Sequence, residues 1–327
     1  KKRSGLLMPV IQSDNQLGTT IALPIFLNLQ SNQDLTFTPS IQTKSNNFYG
    51  LNYRFLNDRV KLNLDSSVDD NDDKTGSSNH LFLNSEIFND FGNFNAYLKT
   101  TNNDTYMRKN KINYLTVLKS GIDFSRETED EFFSLDAIGY RHLTEQEGAQ
   151  WEYLYPNIIY NIDNIDGNAI EGNMSLKNQL SIRRNLSKSY ISLASSQVDW
   201  SYQHIHRETG ILSNNEANLR ILSISIDEKS SKDTNNIRFY PQISSKFSYP
   251  LLKSSLNTNQ TLTPILMPIL APYNNYTNSK IVTNSDLFSS NRATSITEWE
   301  SGPRINYGLE WFINSISGIN LKTTIGQ

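Results

Sequence analysis

The sequence predicts an all-β protein, an antiparallel transmembrane β-barrel of the outer-membrane type, on three observations. In residues 34–44, apolar side chains occupy the odd positions from Leu35 to Ile41 and polar side chains the even positions, which is the period of a strand with one wet face. The chain is only 37% hydrophobic, yet its 16 Tyr and 15 Phe residues are too many for a disordered chain. No stretch approaches the ~20 apolar residues of a membrane-spanning helix. This combination is typical of a barrel with an apolar outside and a polar lumen.

The first two predicted strands each contain a proline. The first runs from Thr20 to Leu29 and includes Pro24, and the second runs from Asp34 to Lys44 and includes Pro39. Because proline has no N–H, each removes one hydrogen bond from the pairing of neighbouring strands, which weakens that pairing by roughly 0.5–1.5 kcal/mol. The start of the chain therefore predicts a weakly paired part of the sheet. Ordinary edge or bulge prolines would give the same pattern.

Further alternating segments follow, separated by polar connections. They are predicted as strands at residues 60–64, 81–87, 94–99, 133–141, 152–161, 176–183, 190–195, 218–227, 238–247, 262–270 and 303–312. Tight turns such as residues 89–93 alternate with longer loops such as 102–111 and 274–294, as in outer-membrane barrels. At roughly 10 residues per strand, the chain holds on the order of 14–16 strands. It begins without Met and ends without a strand pattern, so residues 1–327 are expected to be one partial barrel domain of a longer protein.

Charge and residue types argue against several function classes. The net charge is −3 and the basic residues are dispersed, which leaves no electrostatic footprint for a nucleic acid. The absence of Cys removes thiol chemistry, and the chain has neither a Gly-x-Ser-x-Gly elbow nor a Gly-rich phosphate loop. Carboxylates scattered on alternating strands suggest no acid and base pair. We therefore expect no enzyme and no cofactor.

Two candidate metal sites are interpreted as polar surface. The acidic run Asp69–Asp73 lacks the spaced Gly and terminal Glu of a calcium loop, which favours a solvated loop. His204 and His206 share a strand face, but the chain has only four histidines and no matching cluster, so a polar lumen or loop position is expected.

Two further patterns each allow two interpretations. Trp151, Tyr153 and Tyr155 alternate as in an interfacial aromatic girdle, but core aromatic residues of a β-sandwich would show the same spacing. The basic pair Arg183-Arg184 and Lys188 would attract lipid phosphates, or they would simply flank a turn.

Eight short segments, taken in order, carry the resemblance of this sequence to a known protein family. The opening Arg3-Ser4-Gly5-Leu6-Leu7-Met8-Pro9 is followed by a Leu-Pro strand ending at Asn28, by Asp34-Leu35-Thr36-Phe37-Thr38-Pro39 and by Tyr53-Arg54-Phe55-Leu56. Far downstream, the matching segments are Leu262-Thr263-Pro264, Leu270-Ala271-Pro272-Tyr273, Asp286-Leu287-Phe288-Ser289-Ser290-Asn291-Arg292 and Asn306-Tyr307-Gly308-Leu309. In order and spacing, these segments resemble the barrel of the lipopolysaccharide-assembly protein LptD family. The family's Gly-Tyr-Asp-Arg after the Asn-Arg element is replaced here by residues 293–300, so the resemblance implies no function for that loop.

The resemblance implies an outer-membrane translocon of Gram-negative cells. Lipopolysaccharide would pass its sugar through the polar lumen and its acyl tails through a lateral gate, where Pro24 and Pro39 weaken the strand pairing. The expected partners are lipopolysaccharide, outer-membrane lipids, an LptE-like plug lipoprotein, and an LptA-like periplasmic bridge that docks on a jelly-roll absent from this chain. The family-motif positions are Arg3, Gly5, Pro9, Asp34, Tyr53, Arg54, Pro264, Pro272, Asn291 and Arg292.

Two other function classes fit the same strands. One is a generic outer-membrane channel or receptor barrel with diffusive transport. The other is an extracellular β-sandwich or adhesin that binds glycans.

Overall fold

The computed structural model describes residues 3–70, 76–145, 150–165, 171–227, 234–273, 287–293, 296–315, 318 and 320–327. Within these ranges it contains twenty strands and one four-residue helix, and the strands pair antiparallel, so the predicted all-β antiparallel class is confirmed. The helix is α1 (Tyr106–Lys109). The strands are β1 (Gly5–Leu6), β2 (Val10–Asp14), β3 (Gly18–Ala22), β4 (Ile25–Gln30), β5 (Gln33–Gln42), β6 (Phe48–Leu56), β7 (Val60–Asp69), β8 (Asn79–Asn89), β9 (Gly92–Thr101), β10 (Val117–Glu127), β11 (Glu131–His142), β12 (Trp151–Ile162), β13 (Asn173–Arg184), β14 (Tyr190–His206), β15 (Ile211–Asp227), β16 (Thr234–Ser248), β17 (Leu251–Ser254), β18 (Thr258–Leu270), β19 (Arg304–Ser315) and β20 (Asn320–Gly326).

The chain forms two compact units. The first comprises Lys1–Ile159, Leu180–Ser192 and Ser225–Thr234, and the second Tyr160–Gln179, Leu193–Ile224 and Asn235–Gln327. In the first unit each strand from β4 to β11 pairs with the next one along the chain. In the second unit β18 pairs with β16 and β17 on one side and β19 on the other, and β19 pairs with β20.

The connections in the first unit differ in length between the two ends of its strands. At one end they span residues 31–32, 57–59, 90–91 and 128–130, and at the other 43–47, 70–78, 102–116 and 143–150. This asymmetry agrees with the alternation of short turns and longer loops that the sequence predicts, and outer-membrane barrels have the same asymmetry.

The register of the first unit separates an apolar face from a polar face. One row of paired residues across β5 to β9 is apolar, and the neighbouring row is polar except at its last position, which holds a tyrosine. The apolar row is Leu35, Tyr53, Leu64, Leu83 and Leu98, and the neighbouring row is Asp34, Arg54, Asn63, Asn84 and Tyr97. Because successive side chains of a strand point to opposite faces, the two rows lie on opposite sides of the sheet.

The second unit has the same two faces. On β16, Tyr240, Gln242 and Ser244 are buried, whereas the alternate residues Phe239 and Ile243 are exposed. On β18 and β19 the exposed face carries further large apolar residues, which include Leu266, Leu270, Ile305, Tyr307 and Leu309. In this unit too, the large apolar side chains of the exposed face lie opposite a buried face that carries amide and hydroxyl groups.

The structure corrects the predicted number and extent of the strands. Twenty strands are described instead of 14–16, and Thr20–Leu29 is not one strand but β3 and β4, separated at Leu23-Pro24. The strands β1, β2, β10, β17 and β20 were not predicted, and β20 shows that the described chain does end in a strand. Each of the segments predicted from residue 60 onward lies on a strand. Among the described residues no helix is long and apolar enough to cross a membrane.

Candidate functional site

The first hairpin is interrupted on both of its strands. The leading strand stops after Leu6 and resumes at Val10, and the returning strand stops after Ala22 and resumes at Ile25. Only two residue pairs, Gly5 with Phe26 and Leu6 with Ile25, join β1 to β4. By contrast, β6 and β7 pair over nine positions, so the hairpin that opens the chain has a far shorter ladder at this end.

Two neighbouring positions of this region have only half of the expected backbone hydrogen bonds. The Leu7 N–H donates to the Pro24 carbonyl at 2.9 Å, and the Leu23 N–H donates to the Pro39 carbonyl at 3.0 Å. In an antiparallel sheet a hydrogen-bonded pair normally exchanges two such bonds, but neither proline has an N–H to return. Two successive strand pairings therefore each lack one backbone hydrogen bond, and the two positions lie side by side across the sheet, from Leu7 through Leu23-Pro24 to Pro39.

This geometry adds Pro9 to Pro24 and Pro39 as a proline of the weakly paired region. Pro39 lies inside β5, which is continuous, whereas the two interrupted strands contain Pro9 and Pro24. In the sequence Pro9 is only a motif position, because the apolar run from Leu6 to Ile11 does not alternate and so does not predict a strand. The proline itself is the one feature of this run that indicates an interrupted strand.

A similar pairing recurs once in the second unit. The gap between β16 and β17 holds Tyr249-Pro250, and the Tyr249 N–H donates to the carbonyl of Pro264 on β18 at 3.1 Å. A proline opposite a strand break is thus not confined to the start of the chain. The combination of two interrupted strands and two half-bonded pairs in line distinguishes the first hairpin.

The other amino-terminal motif residues lie around this hairpin and on β5 and β6. Arg3 is exposed before β1, and a Cβ added to Gly5 would meet nothing within 4 Å, so packing gives no reason for glycine there. Asp34 is buried and forms an ion pair with Arg54, Oδ1 to Nε, at 2.8 Å. The Tyr53 hydroxyl donates to the Gln33 side chain at 3.3 Å. Asp34 and Arg54 are therefore cross-strand partners that fix the register of β5 and β6.

The polar face of the first unit carries a row of charged and amide side chains. Glu86 accepts from Lys61 at 2.9 Å and from Asn84 at 3.0 Å, and Asp123 accepts from Asn95 at 2.7 Å. A cavity of about 470 Å³ lies beside this row and is lined in part by Asp34, Arg54, Lys61 and Asn63. Such a surface offers both donors and acceptors to a hydroxylated ligand.

The loop that carries α1 packs onto the polar face near the longer connections. Tyr106 and Met107 are buried with Leu118, and the Tyr106 hydroxyl lies 2.9 Å from Ser67 Oγ, which lies 2.6 Å from His80 Nδ1. Burial raises the pKa of Tyr106 to about 12, so the phenol keeps its proton at neutral pH. The apolar cluster and the hydrogen bonds together hold this loop in place.

The same loop reaches back to the tip of the first hairpin. Lys111 Nζ lies 2.6 Å from Asp14 Oδ2, and the Asn110 amide oxygen accepts from the Gln42 side chain at 3.4 Å. The other oxygen of Asp14 accepts from the backbone N–H groups of Gln16 and Leu17 at 2.7 Å each, which closes the turn between β2 and β3. The loop that carries α1 thus tethers one end of the weakly paired hairpin.

The carboxy-terminal motif residues meet around one carboxylate of the second unit. Arg292 contacts Glu300 through Nε at 2.9 and 3.0 Å and also through Nη2, and Arg304 Nη2 lies 3.1 Å from the same carboxylate. Asn291 Oδ1 accepts from the Glu300 N–H at 3.1 Å, and the Pro272 carbonyl accepts from Gly302 at 3.1 Å. Asp286 and residues 294–295 of the motif region lie outside the described residues.

The segment around Trp299 is bound to the buried face of β16 and β19. Trp299 is 2% exposed, stacks on Tyr240 at 5.7 Å between ring centroids, and donates from Nε1 to Gln242 at 2.8 Å. Five side chains of neighbouring strands donate to backbone carbonyls of residues 287–297. They are Arg220 to Ile296, Arg238 to Thr297, Gln242 and Arg304 to Ser290, and Asn306 to Leu287. Sequence reasoning missed Trp299 and Glu300, since both lie in the stretch where the family pattern is replaced.

The two candidate metal sites have other roles where the structure describes them. Asp69 accepts from the Ser78 N–H at 2.6 Å and so helps to close the connection after β7, while residues 71–73 of the acidic run lie outside the described residues. His204 and His206, for which a polar lumen or loop position is expected, are exposed at the end of β14 next to a turn, on the face opposite that of Asp199. Among the described residues no group of three or more metal-ligating side chains forms a site.

Comparison with known proteins gives one partial sequence match. Over 98 residues the chain is 29% identical to the LPS-assembly protein LptD of Cupriavidus pinatubonensis, and the match covers 30% of this chain and 12% of that protein. No protein-family model matches the sequence.

Among solved structures, the chain aligns with a bacterial polysaccharide outer membrane secretin at a TM-score of 0.29 and 8% identity, over 94% of this chain and 91% of the secretin. It also aligns with BamA from Haemophilus ducreyi lacking POTRA domains 1–3, at a TM-score of 0.30 and 8% identity, over 100% of this chain and 67% of BamA. Both TM-scores are too low to bear on the fold. The chain is thus similar, over part of its length, to a protein named for lipopolysaccharide assembly.

Proposed function

We propose that this chain is part of an outer-membrane barrel that moves lipopolysaccharide to the cell surface, and that it transfers this lipid without altering it chemically. The observation that carries the proposal is the first hairpin, in which both strands are interrupted and two half-bonded pairs lie in line. The partial match to an LptD protein supports the same function.

The exposed apolar face supports a membrane position. Large side chains such as Ile243, Leu266 and Leu309 lie on the exposed face of continuous strands in the second unit. In water such a face would lower solubility and promote association, and a β-sandwich would bury it under a second sheet. In a bilayer the same residues meet acyl chains, and this arrangement favours a barrel over the sandwich or adhesin interpretation.

The polar face supports transit of a sugar. The row that includes Lys61, Glu86, Asn95 and Asp123 presents donors and acceptors that exchange hydrogen bonds with hydroxyl groups as readily as water does. Acyl tails cannot follow that path, because apolar chains gain nothing from a polar surface. They require a lateral exit, which a weakly paired hairpin beside the bilayer would supply.

Replacing the two prolines by residues that have a backbone N–H tests the proposed lateral exit. In the double variant Pro24→Ala and Pro39→Ala, each new N–H adds a bond worth roughly 0.5–1.5 kcal/mol. Together they would shift the opening equilibrium by about 5- to 150-fold, the range that ~1–3 kcal/mol corresponds to. We expect the rate at which new lipopolysaccharide reaches the cell surface to fall at an unchanged amount of folded protein.

Pro264→Ala is the matched control. The Pro264 carbonyl also accepts from a residue in a strand break, Tyr249, but here there is one such pair and not two in line. Lipopolysaccharide delivery by this variant should stay at the wild-type rate. Normal delivery in the Pro24 and Pro39 double variant would contradict a proline-weakened exit. Ion conductance that persists in that variant while lipopolysaccharide delivery is also normal would favour the diffusive channel or receptor instead.

The partners follow from the same proposal. A translocon of this kind would need a plug lipoprotein in its lumen and a periplasmic bridge of the LptA kind that docks on a jelly-roll domain. Co-purification of a lipoprotein with the full protein would support this, and a barrel that purifies and functions alone would count against it.

A further inference from the structure

An aromatic groove lies on the exposed face of the first unit, at the strand ends next to the longer connections. It has a volume of about 400 Å³, which is within the ~300–1,000 Å³ of ligand sites. Its floor is made by the small residues Ala137 and Gly139 of β11, and its walls by Tyr153, Tyr155 and Tyr190. Small residues between tall aromatic rings leave room for a narrow ligand.

The rings of this groove, and Trp151 beside them, are not core residues. Trp151 is 42% exposed and Tyr155 is 67% exposed, which excludes the sandwich-core interpretation of their spacing. Trp151 stacks on Tyr153 with ring centroids 5.8 Å apart, and both rings lie near the start of β12. Tyr and Trp rings at strand ends are typical of a membrane interface, where one side of the ring meets acyl chains and the other meets head groups.

One arginine completes the groove. Arg184 is the last residue of β13, lines the groove, and places its guanidinium 5.7 Å from the centre of the Tyr153 ring. Its Nε is buried, and none of the described residues accepts a hydrogen bond from it. An unpaired buried donor is unfavourable, and a half-buried guanidinium that none of the described carboxylates pairs with suits an anionic ligand.

The adjacent arginine shows the contrast. Arg183 points to the opposite face, where it forms an ion pair with Glu152 and where His142 Nε2 lies 3.4 Å from the same carboxylate. The protein therefore supplies an acidic partner to Arg183 and none of the described carboxylates to Arg184. Charge pairing within the turn, the simpler interpretation of this basic pair, accounts for Arg183 only.

We propose that this groove binds one anionic membrane lipid, with the phosphate on Arg184 and an acyl chain between Tyr153, Tyr155 and Tyr190. A planar guanidinium suits a phosphate because it offers parallel N–H donors. The apolar floor suits an acyl chain, and the position at the strand ends puts the phosphate at head-group depth. The proposal rests on the outer-membrane position proposed above, and it adds a lipid site on the outer face that the transport path does not use.

Quenching of Trp151 fluorescence tests this site. The full chain would be reconstituted in phosphatidylcholine vesicles that contain either brominated phosphatidylcholine or brominated phosphatidic acid at the same mole fraction, since bromine on the acyl chain quenches a neighbouring indole. Subtracting the signal of Trp151→Phe isolates this residue from the other three tryptophans. We expect several-fold stronger quenching of Trp151 by the brominated phosphatidic acid, and loss of that preference in Arg184→Gln.

Arg126→Gln is the control, because Arg126 is an exposed arginine near the opposite end of the strands, at the end of β10. It removes the same charge and should keep the preference. Equal quenching by the two lipids in the wild type, or a preference that survives Arg184→Gln, would overturn the lipid site while leaving the membrane position intact. No quenching by either lipid would mean that the face does not meet acyl chains, which would overturn both proposals.

Discussion

Glu300 shows how a single carboxylate holds a long connection on the buried face. The side chains of Glu300, Arg292 and Arg304 are each less than one fifth exposed, and both guanidinium groups contact the one carboxylate. Burial raises the pKa of Glu300, but the hydrogen bonds from Arg292 and the charge of Arg304 lower it by more, so the pKa lies below its usual value. The carboxylate is therefore ionised in the folded state over the whole neutral range.

Replacing this carboxylate should loosen the connection. In Glu300→Gln the two arginines lose their acceptor charge, and hydrogen bonds to charged groups contribute roughly 1.5–3 kcal/mol each. We expect hydrogen exchange of the described residues 287–293 to accelerate by at least about tenfold, which corresponds to ~1.4 kcal/mol. Glu310→Gln, which removes the carboxylate of a more exposed ion pair with Lys322 at 3.4 Å, should leave that exchange unchanged.

Acid should reproduce the effect in the wild type. Because the folded-state pKa of Glu300 is depressed, the stability it provides is fully present above its unfolded-state pKa and is lost as the pH falls through the lower folded-state value. Local exchange of residues 287–293, corrected for the intrinsic rate, should rise in that window for the wild type and stay flat for Glu300→Gln. A parallel response of the two proteins would contradict the assignment to this carboxylate.

At the scale of an element, a four-residue helix is stable here only because of what it packs against. Isolated helices of this length do not form in water, since nucleation is unfavourable. Met107 is 1% exposed and packs with Tyr106 and Leu118, and this apolar cluster acts with hydrogen bonds to hold the loop of residues 102–116 in place. The loop is therefore a packed part of the first unit and not a solvated connection.

Met107→Ala measures this dependence. Removing a buried methionine side chain costs roughly 2–5 kcal/mol, and the loss should appear locally as faster hydrogen exchange and faster proteolysis of residues 102–116. Met8→Ala, which truncates a methionine that is 87% exposed, should change neither. Equal protection of the loop in both variants would mean that Met107 does not anchor it.

At the scale of the whole molecule, the two faces explain a composition that suggests a soluble protein. The mean hydropathy is −0.52, yet the apolar residues are concentrated on one face by period-two alternation. An average over the chain hides this separation, because each strand contributes polar and apolar side chains in nearly equal number. Position along the strand, and not overall composition, decides which solvent each face meets.

A charge placed at different depths tests the membrane position. Leu309 is exposed at the middle of β19, whereas Ile237 is exposed near the start of β16. In a bilayer Leu309→Arg should cost roughly 2–4 kcal/mol and Ile237→Arg only about 0–1 kcal/mol, measured by urea titration of the protein folded in vesicles. On a water-exposed surface both changes would alter the free energy of unfolding by no more than about 0.5 kcal/mol, and that outcome would contradict the proposed membrane position.

The strands that the sequence predicted are those in which alternation is unbroken. Val60, Leu62 and Leu64 predicted β7 correctly, because a regular strand needs only its own pattern. In β10 the hydroxyl of Ser120 exchanges hydrogen bonds with the backbone of Lys99 while Leu118 is buried in the α1 cluster, so the alternation is lost and the strand was not predicted.

The site was less predictable than the strands. The positions of Pro24 and Pro39 were found from sequence, but whether a proline lies within a strand or between two strands depends on register, which only the paired partner reveals. Trp299 gave no signal, since its partner Gln242 is 57 positions away, and Glu300 gave none because its nearby partners Arg292 and Arg304 meet it only through the folded loop.

The tether at the tip of the first hairpin has a consequence for the order of folding. Lys111 and Asp14 are 97 positions apart, and Asn110 and Gln42 are 68 apart. Contacts of such separation form late, because the entropy of closing a long loop must be overcome before they contribute. The amino-terminal hairpin is thus translated before the loop that anchors it, and it is anchored only after β9 and that loop have folded. Until then, its half-bonded strands are free to pair elsewhere.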